Sequence, residues 1–256
     1  METATPLDVR LMNATSALLY AVAALACAAL LLAWLVRLPM FSLRSITVEG
    51  EVSRNSVTTI RANALPRLVG NFFTLDLQDA RVAFEAVPWV RRATVQRVWP
   101  DGLEVRLEEH EPVAQWGEDR LVNAQGEVFT VNLGDVEDED LPMLSGPTGS
   151  APRVLEAARR INAALDPIGR EVKMLGLTDR GSWHLELDDG AVIELGRGSS
   201  DAVVARIERF AKTIQGVTSR YQSPLIYADL RHNSGYAVRL KGVTTTIAPV
   251  AKAKKN

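Results

Sequence analysis

The chain of 256 residues contains few of the residue types that carry chemistry or staple a small scaffold. It has one cysteine, Cys27, and three histidines, which excludes a disulfide framework and a thiolate metal cluster. Lys and Arg number 29 against 31 Asp and Glu, so the net charge is only −2 and nucleic acid is not an expected partner. Gly and Pro contribute 17 and 12 residues and 23% of residues are charged, which excludes collagenous and disordered chains.

One apolar segment is far longer than a globular core requires. Ala17–Val36 is an unbroken apolar run, and no charged residue lies between Arg10 and Arg37. Twenty helical residues at about 1.5 Å each span the roughly 30 Å hydrocarbon core of a bilayer. We therefore predict a transmembrane helix at residues 17–36, which follows a short N-terminal segment, residues 1–16.

The residues on either side of this helix bear on two questions: whether it is cleaved as a signal peptide, and which way it crosses the membrane. A cleaved signal peptide is the alternative, but its apolar core is typically about 7 to 15 residues and its head is basic, whereas this head contains Glu2 and Asp8. Flanking charge does not determine the orientation, because Arg10 precedes the helix while Arg37 and Arg44 follow it.

The next block predicts the order β-α-α-β-β. A β-rich stretch ends at Gly50, and Ser53 is the expected N-cap of a helix that Pro66 stops. The remaining elements are a helix at 77–86 and strands at 91–98 and about 103–108, separated by the turn Pro100-Asp101-Gly102.

From residue 112 onward, short strands alternate with two helices. Both helices have an apolar stripe at helical spacing, and Ser199 or Ser200 is the expected cap of the second. The predicted strands are 113–116, 121–123, 127–131, 172–177, 183–188, 191–195, 225–231 and 235–240, and the predicted helices begin at Pro152 and after Gly198. Residues 244–256 are predicted to be a flexible tail.

No residue pattern indicates a reaction centre. His110, His184 and His232 have no metal-ligand spacing, so no metal is expected. Residues 196–201 imitate a dinucleotide fingerprint, but Asp201 replaces its third glycine, which favours a turn and a helix cap. We predict no catalysis, no cofactor and no small-molecule substrate, and a membrane-tethered protein of this kind most plausibly holds other proteins.

Several motifs occur in the order found in one family. The β-α-α-β-β block beside an apolar helix resembles a POTRA domain, and about residues 40 to 240 resemble the FtsQ/DivIB family of bacterial division proteins. The motifs are Val87-Pro88-Trp89-Val90, Trp99-Pro100-Asp101, Leu141-Pro142-Met143-Leu144, Leu195-Gly196-Arg197-Gly198 and Tyr227-Ala228-Asp229-Leu230-Arg231 before Ser234-Gly235.

The resemblance implies an α+β fold in five parts. They are a cytoplasmic N-terminus (1–16), a single transmembrane helix (17–36), a POTRA domain (42–111), a β-rich domain with two helices on a mainly antiparallel sheet (112–243) and the tail (244–256). It also implies a single-pass protein of the inner membrane, with periplasmic C-terminal domains, concentrated at the division septum. Its expected partners are FtsB and FtsL, with FtsK and other divisome proteins at the POTRA domain.

Binding residues are carried over from the family position by position. A last strand leaves an edge that a partner strand can join. His232 and Leu240 stand where the family usually has aromatic residues, which leaves open whether Tyr236 replaces those anchors. The expected FtsB/FtsL contacts are Arg197, Tyr227, Arg231, His232, Ser234, Gly235, Tyr236, Val238 and Leu240, and the expected recruitment face of the POTRA domain is Arg92, Val95 and Arg97.

The sequence argues against two other classes of function. An envelope chaperone or transport module also uses POTRA domains, but it predicts tandem repeats or a long β-barrel, which 256 residues do not contain. A tethered hydrolase predicts a nucleophile with a nearby base, and no such motif is present. A scaffold of the division machinery is therefore the leading hypothesis.

Overall fold

The computed structural model describes residues 7–36, 38–50, 52–232 and 235–243. The chain divides into two compact units, Met1–His110 and Glu111–Asn256. Ser234, the whole predicted tail (244–256) and the first six residues lie outside the described residues.

The first helix, α1 (Leu7–Val36), begins ten residues before the predicted span. In its polar N-terminal turns the Thr15 hydroxyl can donate to the carbonyls of Leu11 and Met12, at 3.0 and 2.9 Å, and so has a partner within the helix. The most apolar part of Leu11–Val36 has a mean hydropathy of 2.5, and none of that part is buried among the described residues. By length and composition this helix can cross a membrane, and it fits a single-pass membrane protein.

The rest of the first unit has the predicted β-α-α-β-β order. Its three strands form a sheet in the order β1-β3-β2, with β1 parallel and β2 antiparallel to β3. Ile60, Phe84 and Val105 are buried in its core. The elements are β1 (Ser45–Glu49), α2 (Val57–Ala64), α3 (Leu77–Glu85), β2 (Val90–Val98) and β3 (Gly102–Glu109), with short 3-10 helices at Pro39–Phe41 and Leu65–Arg67.

The predicted N-cap of α2 was wrong by one turn. Ser56 caps this helix, because its side chain accepts a hydrogen bond from the backbone N–H of Thr59. Ser53 instead donates its backbone N–H and its hydroxyl to Glu109 Oε2, at 2.9 and 3.2 Å. The end of β3 therefore binds the segment before α2, a long-range contact that local sequence does not reveal.

Over its described residues, the second unit is one sheet of nine strands with two α-helices and two short 3-10 helices, Leu133–Val136 and Asp166–Ile168. The strands follow the order β12-β11-β10-β9-β8-β7-β4-β5-β6. They are β4 (Pro112–Trp116), β5 (Arg120–Asn123), β6 (Val128–Phe129), β7 (Met143–Ser145), β8 (Val172–Leu177), β9 (Ser182–Leu187), β10 (Val192–Arg197), β11 (Leu225–Asp229) and β12 (Ala237–Leu240), and the helices are α4 (Ala151–Leu165) and α5 (Ser200–Tyr221).

The sheet is mixed, with antiparallel pairs in the majority. Two of its parallel pairs, β7–β8 and β10–β11, are bridged along the chain by α4 and α5, as parallel neighbours require a crossover. Both helices share one core with the sheet, in which Ile161, Trp183 and Phe210 are fully buried. Ser199 caps α5 by accepting from the N–H of Ala202, which confirms the turn-and-cap interpretation of the glycine-rich segment.

Three strand predictions need correction. The strand predicted at 127–131 is only β6, because Asn123 holds a turn by accepting from the N–H groups of Gln125 and Glu127. β7 was missed, since three residues are too few to show an alternating pattern. The two last strands are shorter than predicted, and their connection contains Arg231, His232 and Gly235.

Candidate functional site

The last strand, β12, lies at one end of the nine-stranded sheet. Among the described strands it pairs only with β11, with Ala228 opposite Val238 and Asp229 opposite Ala237. The N–H of Lys241, just after the strand, donates to the carbonyl of Pro224 at 3.0 Å. Because backbone directions alternate along a strand, the N–H groups of Val238 and Leu240 point away from β11. These two donors face the open edge.

Three predicted contact residues, Tyr236, Val238 and Leu240, pack toward the core of their own unit. The Tyr236 ring lies 5.2 Å from the Phe210 ring, and its hydroxyl shares a 2.6 Å hydrogen bond with the Thr213 hydroxyl. Val238 packs partly buried against the same core, and Leu240 is only 5% exposed. Most of the Leu240 side chain is therefore hidden, so a partner strand would meet this residue mainly through its main chain.

The other side of β12 is exposed. Ala237 and Arg239 are exposed, and the Arg239 guanidinium lies 5.7 Å from the ring of Tyr227, its cross-strand neighbour. A cation over an aromatic face is favourable and orders both side chains. Tyr227 is half-buried and keeps part of its ring at the surface.

Arg231 is already engaged within the chain. Its Nε and Nη2 donate to the two carboxylate oxygens of Asp229, at 2.9 and 2.6 Å, in a bidentate pair. This hydrogen bonding with Arg231 lowers the pKa of Asp229 to about 2 and raises the pKa of the Arg231 guanidinium. The stem of Arg231 crosses β10 at Gly196, where an added Cβ would lie 2.7 Å from Arg231 Cγ. Arg197, the next residue of β10, is exposed at the end of that strand.

A basic cavity of about 370 Å³ adjoins the start of β12, and sequence reasoning missed most of its lining. Its walls combine predicted residues with one side of α5. The repeat of Arg206, Arg209 and Lys212 at three-residue spacing was the available signal, because such residues share one side of a helix. Arg206 Nη1 donates to the carbonyls of Leu195 and Arg197. The lining residues are Arg206, Arg209, Lys212, Thr213, Leu230, His232, Gly235 and Tyr236.

The predicted POTRA residues do not share one face. Arg92 is exposed, whereas Val95 packs against the apolar core on the other side of β2. Arg97 donates from Nε to the carbonyl of Phe72 and from Nη2 to that of Leu75, both at 2.6 Å, and so fixes a loop of its own unit. The three residues share only the strand itself, which is an edge of the small sheet.

Comparisons with known proteins match both units. A model described as "POTRA domain, FtsQ-type" matches residues 41–110, and one described as "Cell division protein FtsQ/DivIB, C-terminal" matches residues 114–231. The chain belongs to the FtsQ/DivIB family. A role in the bacterial cell division machinery follows from this membership.

Curated FtsQ proteins resemble the chain along most of its length. Cell division protein FtsQ of Burkholderia pseudomallei (strain K96243) is 42% identical over 237 residues, which cover 92% of this chain and 94% of the relative. FtsQ of Thiomonas arsenitoxydans is 39% identical, covering 93% and 89%, and FtsQ of Bordetella pertussis is 38% identical, covering 91% and 93%. The similarity therefore spans both FtsQ units.

Proposed function

We propose that the chain is a membrane-anchored scaffold of the divisome that binds FtsB, in complex with FtsL, through the edge of β12. The proposal rests mainly on the outward N–H donors of Val238 and Leu240, since a partner strand can pair with an exposed edge through main-chain hydrogen bonds. By linking early to late division proteins in this way, the chain would control septum assembly.

The geometry of the sheet favours β12 over the opposite end. The other terminal strand, β6, has two residues, against four in β12. Two residues offer too few main-chain groups to hold a partner strand in register. The partner strand would therefore join next to β12, with Ala237 and Arg239 beside it on the exposed face.

Charge around the edge supports a partner segment that carries carboxylates. Arg231 follows β11 and its side chain crosses Gly196, and Arg206, Arg209 and Lys212 line the cavity near Tyr236. Arg231 holds Asp229 through Nε and Nη2, and among the described residues Nη1 forms no further bond. This atom would bind the partner's carboxylate, while the pair with Asp229 keeps the guanidinium in place.

The proposed topology places the N-terminus in the cytoplasm and both C-terminal units in the periplasm, with α1 crossing the inner membrane. The POTRA unit would recruit the protein to the septum through the edge of β2, where Arg92, Val95 and Arg97 lie, with FtsK among its partners. We expect no catalysis, since the proposed work is done by binding alone. A fluorescent fusion to the N-terminus should concentrate at midcell in dividing cells, and a uniform membrane signal would contradict the septal role.

The decisive experiment removes one outward donor. Val238→Pro deletes the N–H that faces the open edge but leaves the bonds between β11 and β12 in place. Binding of the periplasmic FtsB–FtsL complex, measured by biolayer interferometry on the full chain in nanodiscs, should weaken by at least about tenfold, because a main-chain bond is lost and the proline ring obstructs the approaching strand.

Val238→Ala is the matched control, since it shortens the same side chain and keeps the N–H. It should bind within about threefold of the unchanged chain. Amide hydrogen exchange in β11 reports whether each variant keeps the sheet. A folded Val238→Pro variant that binds as tightly as Val238→Ala would exclude pairing at this edge.

A further inference from the structure

Four aromatic side chains of the first unit cluster near the C-terminal end of α1. The rings of Phe41 and Phe73 lie 5.0 Å apart, those of Phe72 and Phe73 lie 5.2 Å apart, and those of Phe72 and Trp99 lie 5.8 Å apart. All three pairs meet edge to face, the favourable geometry for aromatic rings. We call Phe41, Phe72, Phe73 and Trp99 the junction cluster.

Hydrogen bonds tie this cluster to the last residue of α1. Asn71 Nδ2 donates to the carbonyl of Val36 at 2.7 Å, and the N–H of Phe72 donates to the carbonyl of Phe41 at 2.9 Å. Asn71 Oδ1 also accepts from the N–H groups of Phe73 and Thr74, both at 3.0 Å. The loop that carries the aromatic rings is therefore held at the level where the apolar helix ends.

The same loop is bonded to the sheet of the first unit. The guanidinium of Arg97 in β2 donates to the carbonyl oxygens of Phe72 and Leu75, both at 2.6 Å. The junction cluster is thus bonded on one side to α1 and on the other to β2. A surface that binds this loop would therefore hold the POTRA domain close to the end of α1.

The junction is unusually apolar for an exposed surface. Phe72 is buried, but Trp99 is 71% exposed and Phe73 is 44% exposed, and the neighbouring residues Met40 and Val69 are 63% and 80% exposed. A contiguous apolar patch on a protein surface marks an interaction site. Trp side chains are enriched at membrane–water interfaces, where the ring meets the headgroups.

We propose that the junction cluster inserts into the headgroup region of the bilayer that α1 crosses and so docks the POTRA unit on the membrane surface. The occupant is a lipid surface because Asn71, next to Phe72 in the chain, is bonded to the carbonyl of Val36, where the apolar helix ends, which places the cluster at the depth of the headgroups. Arg67 is exposed nearby in sequence and can meet lipid phosphates, whereas Arg44, also exposed, lies 3.8 Å from the Asp101 carboxylate. This inference rests on the proposed membrane anchor.

The test compares two exposed valines at opposite ends of the first unit. Val69 precedes the loop of the cluster and is 80% exposed, whereas Val57 is 67% exposed and begins α2 next to the segment bound by Glu109. β3 runs from Gly102 near the cluster to Glu109, a length of about 23 Å. The pair therefore matches side chain and exposure but differs in expected height above the membrane.

Each valine is replaced by cysteine in the full chain that also carries Cys27→Ala, then labelled with a nitroxide and reconstituted in phosphatidylcholine nanodiscs. Electron paramagnetic resonance measures collisions of the label with oxygen, which enters lipid, and with a nickel chelate, which stays in water. The ratio of oxygen to nickel collisions should be several-fold higher at residue 69 than at residue 57. Adding Phe73→Ala and Trp99→Ala should remove most of that difference.

Equal ratios at the two positions, in protein that co-elutes with the nanodisc, would overturn the docking and leave the anchor intact. A high ratio at residue 69 that survives Phe73→Ala and Trp99→Ala would overturn the role of the aromatic rings. Chain that does not co-elute with the nanodisc would overturn the anchor and this inference together. None of these outcomes depends on FtsB–FtsL binding, so they are distinguishable from failure of the β12 edge.

Discussion

The edges of the two sheets differ in how the fold distributes the residues expected to bind partners. At β12, predicted residues from β11, β12 and their connection lie at one end of the sheet, where the Arg231 side chain crosses Gly196 of β10. At β2, Arg92 is exposed on one side of the strand. On the other side Val95 packs against the core and Arg97 donates to the carbonyl of Phe72. The lesson is that a run of family positions along one strand does not define one surface, because side chains alternate.

The largest expected effect concerns a residue that belongs to both the edge and the core. Leu240→Ala should lower the free energy of unfolding of the second unit by about 2–3 kcal/mol, because Leu240 is 5% exposed and its loss leaves a cavity. Hydrogen exchange of the β11 and β12 amides in the full chain measures this. If their protection is unchanged while FtsB–FtsL binding falls, Leu240 is a contact residue rather than a core residue.

A smaller effect distinguishes the two POTRA arginines. Arg97→Ala removes two charge-assisted hydrogen bonds to loop carbonyls and should destabilise the first unit by about 1–2 kcal/mol. Arg92→Ala is the matched control and should change stability by less than about 0.5 kcal/mol. Amide hydrogen exchange in α3 and β2 measures the change in the free energy of unfolding for both variants. Equal effects of the two substitutions would contradict a structural role for Arg97.

The smallest expected effect is the pH dependence of the Asp229–Arg231 pair. The pKa of Asp229 is lowered to about 2 from an ordinary 3.8, so its ionised form stabilises the folded state above about pH 4 and this stabilisation is lost as the pH falls through 2. Asp229→Asn should therefore make the free energy of unfolding fall less steeply between pH 4 and 2. Because the Arg231 side chain is 58% exposed, solvent weakens the pair and the difference will be small.

Urea unfolding of the full chain in detergent micelles, followed by near-ultraviolet circular dichroism, measures this acid dependence. Asp188→Asn is a suitable control, since the Asp188 carboxylate lies 3.5 Å from Arg170 in the same unit, is more exposed than that of Asp229 and lies outside β11 and β12. Identical acid slopes for the unchanged chain and Asp229→Asn would show that the pair does not hold Arg231 in place.

Periodic and capped elements were predictable from the sequence. The stripe of Val203, Ile207 and Phe210 is buried as predicted, and Ser199 caps the helix that carries it. Family motifs identified the two units because they are spread over most of the chain. β7 escaped prediction because three residues show no period, and the cap at Ser56 was missed because Glu109 binds Ser53 from a distant strand.

The candidate site was also predicted only in part from the sequence. Sequence reasoning identified β12 as a last strand with an available edge, but the outward N–H groups of Val238 and Leu240 follow from pairing with β11. It also named Arg231 as available for carboxylates, whereas the fold pairs it with Asp229 first. The basic cavity combines α5 with the connection before β12, so it requires residues far apart in the chain to meet.

By itself, the sequence determined the apolar anchor, the order of most helices and strands, and the family, because these depend on local composition and spacing. Only the tertiary structure decided which donors face the open edge, that Arg97 is bonded to the loop of Phe72, and that this loop is held at the end of α1 by Asn71. The physical reason is that hydrogen-bond direction and side-chain burial depend on partners brought together by folding, which may be separated by tens of residues.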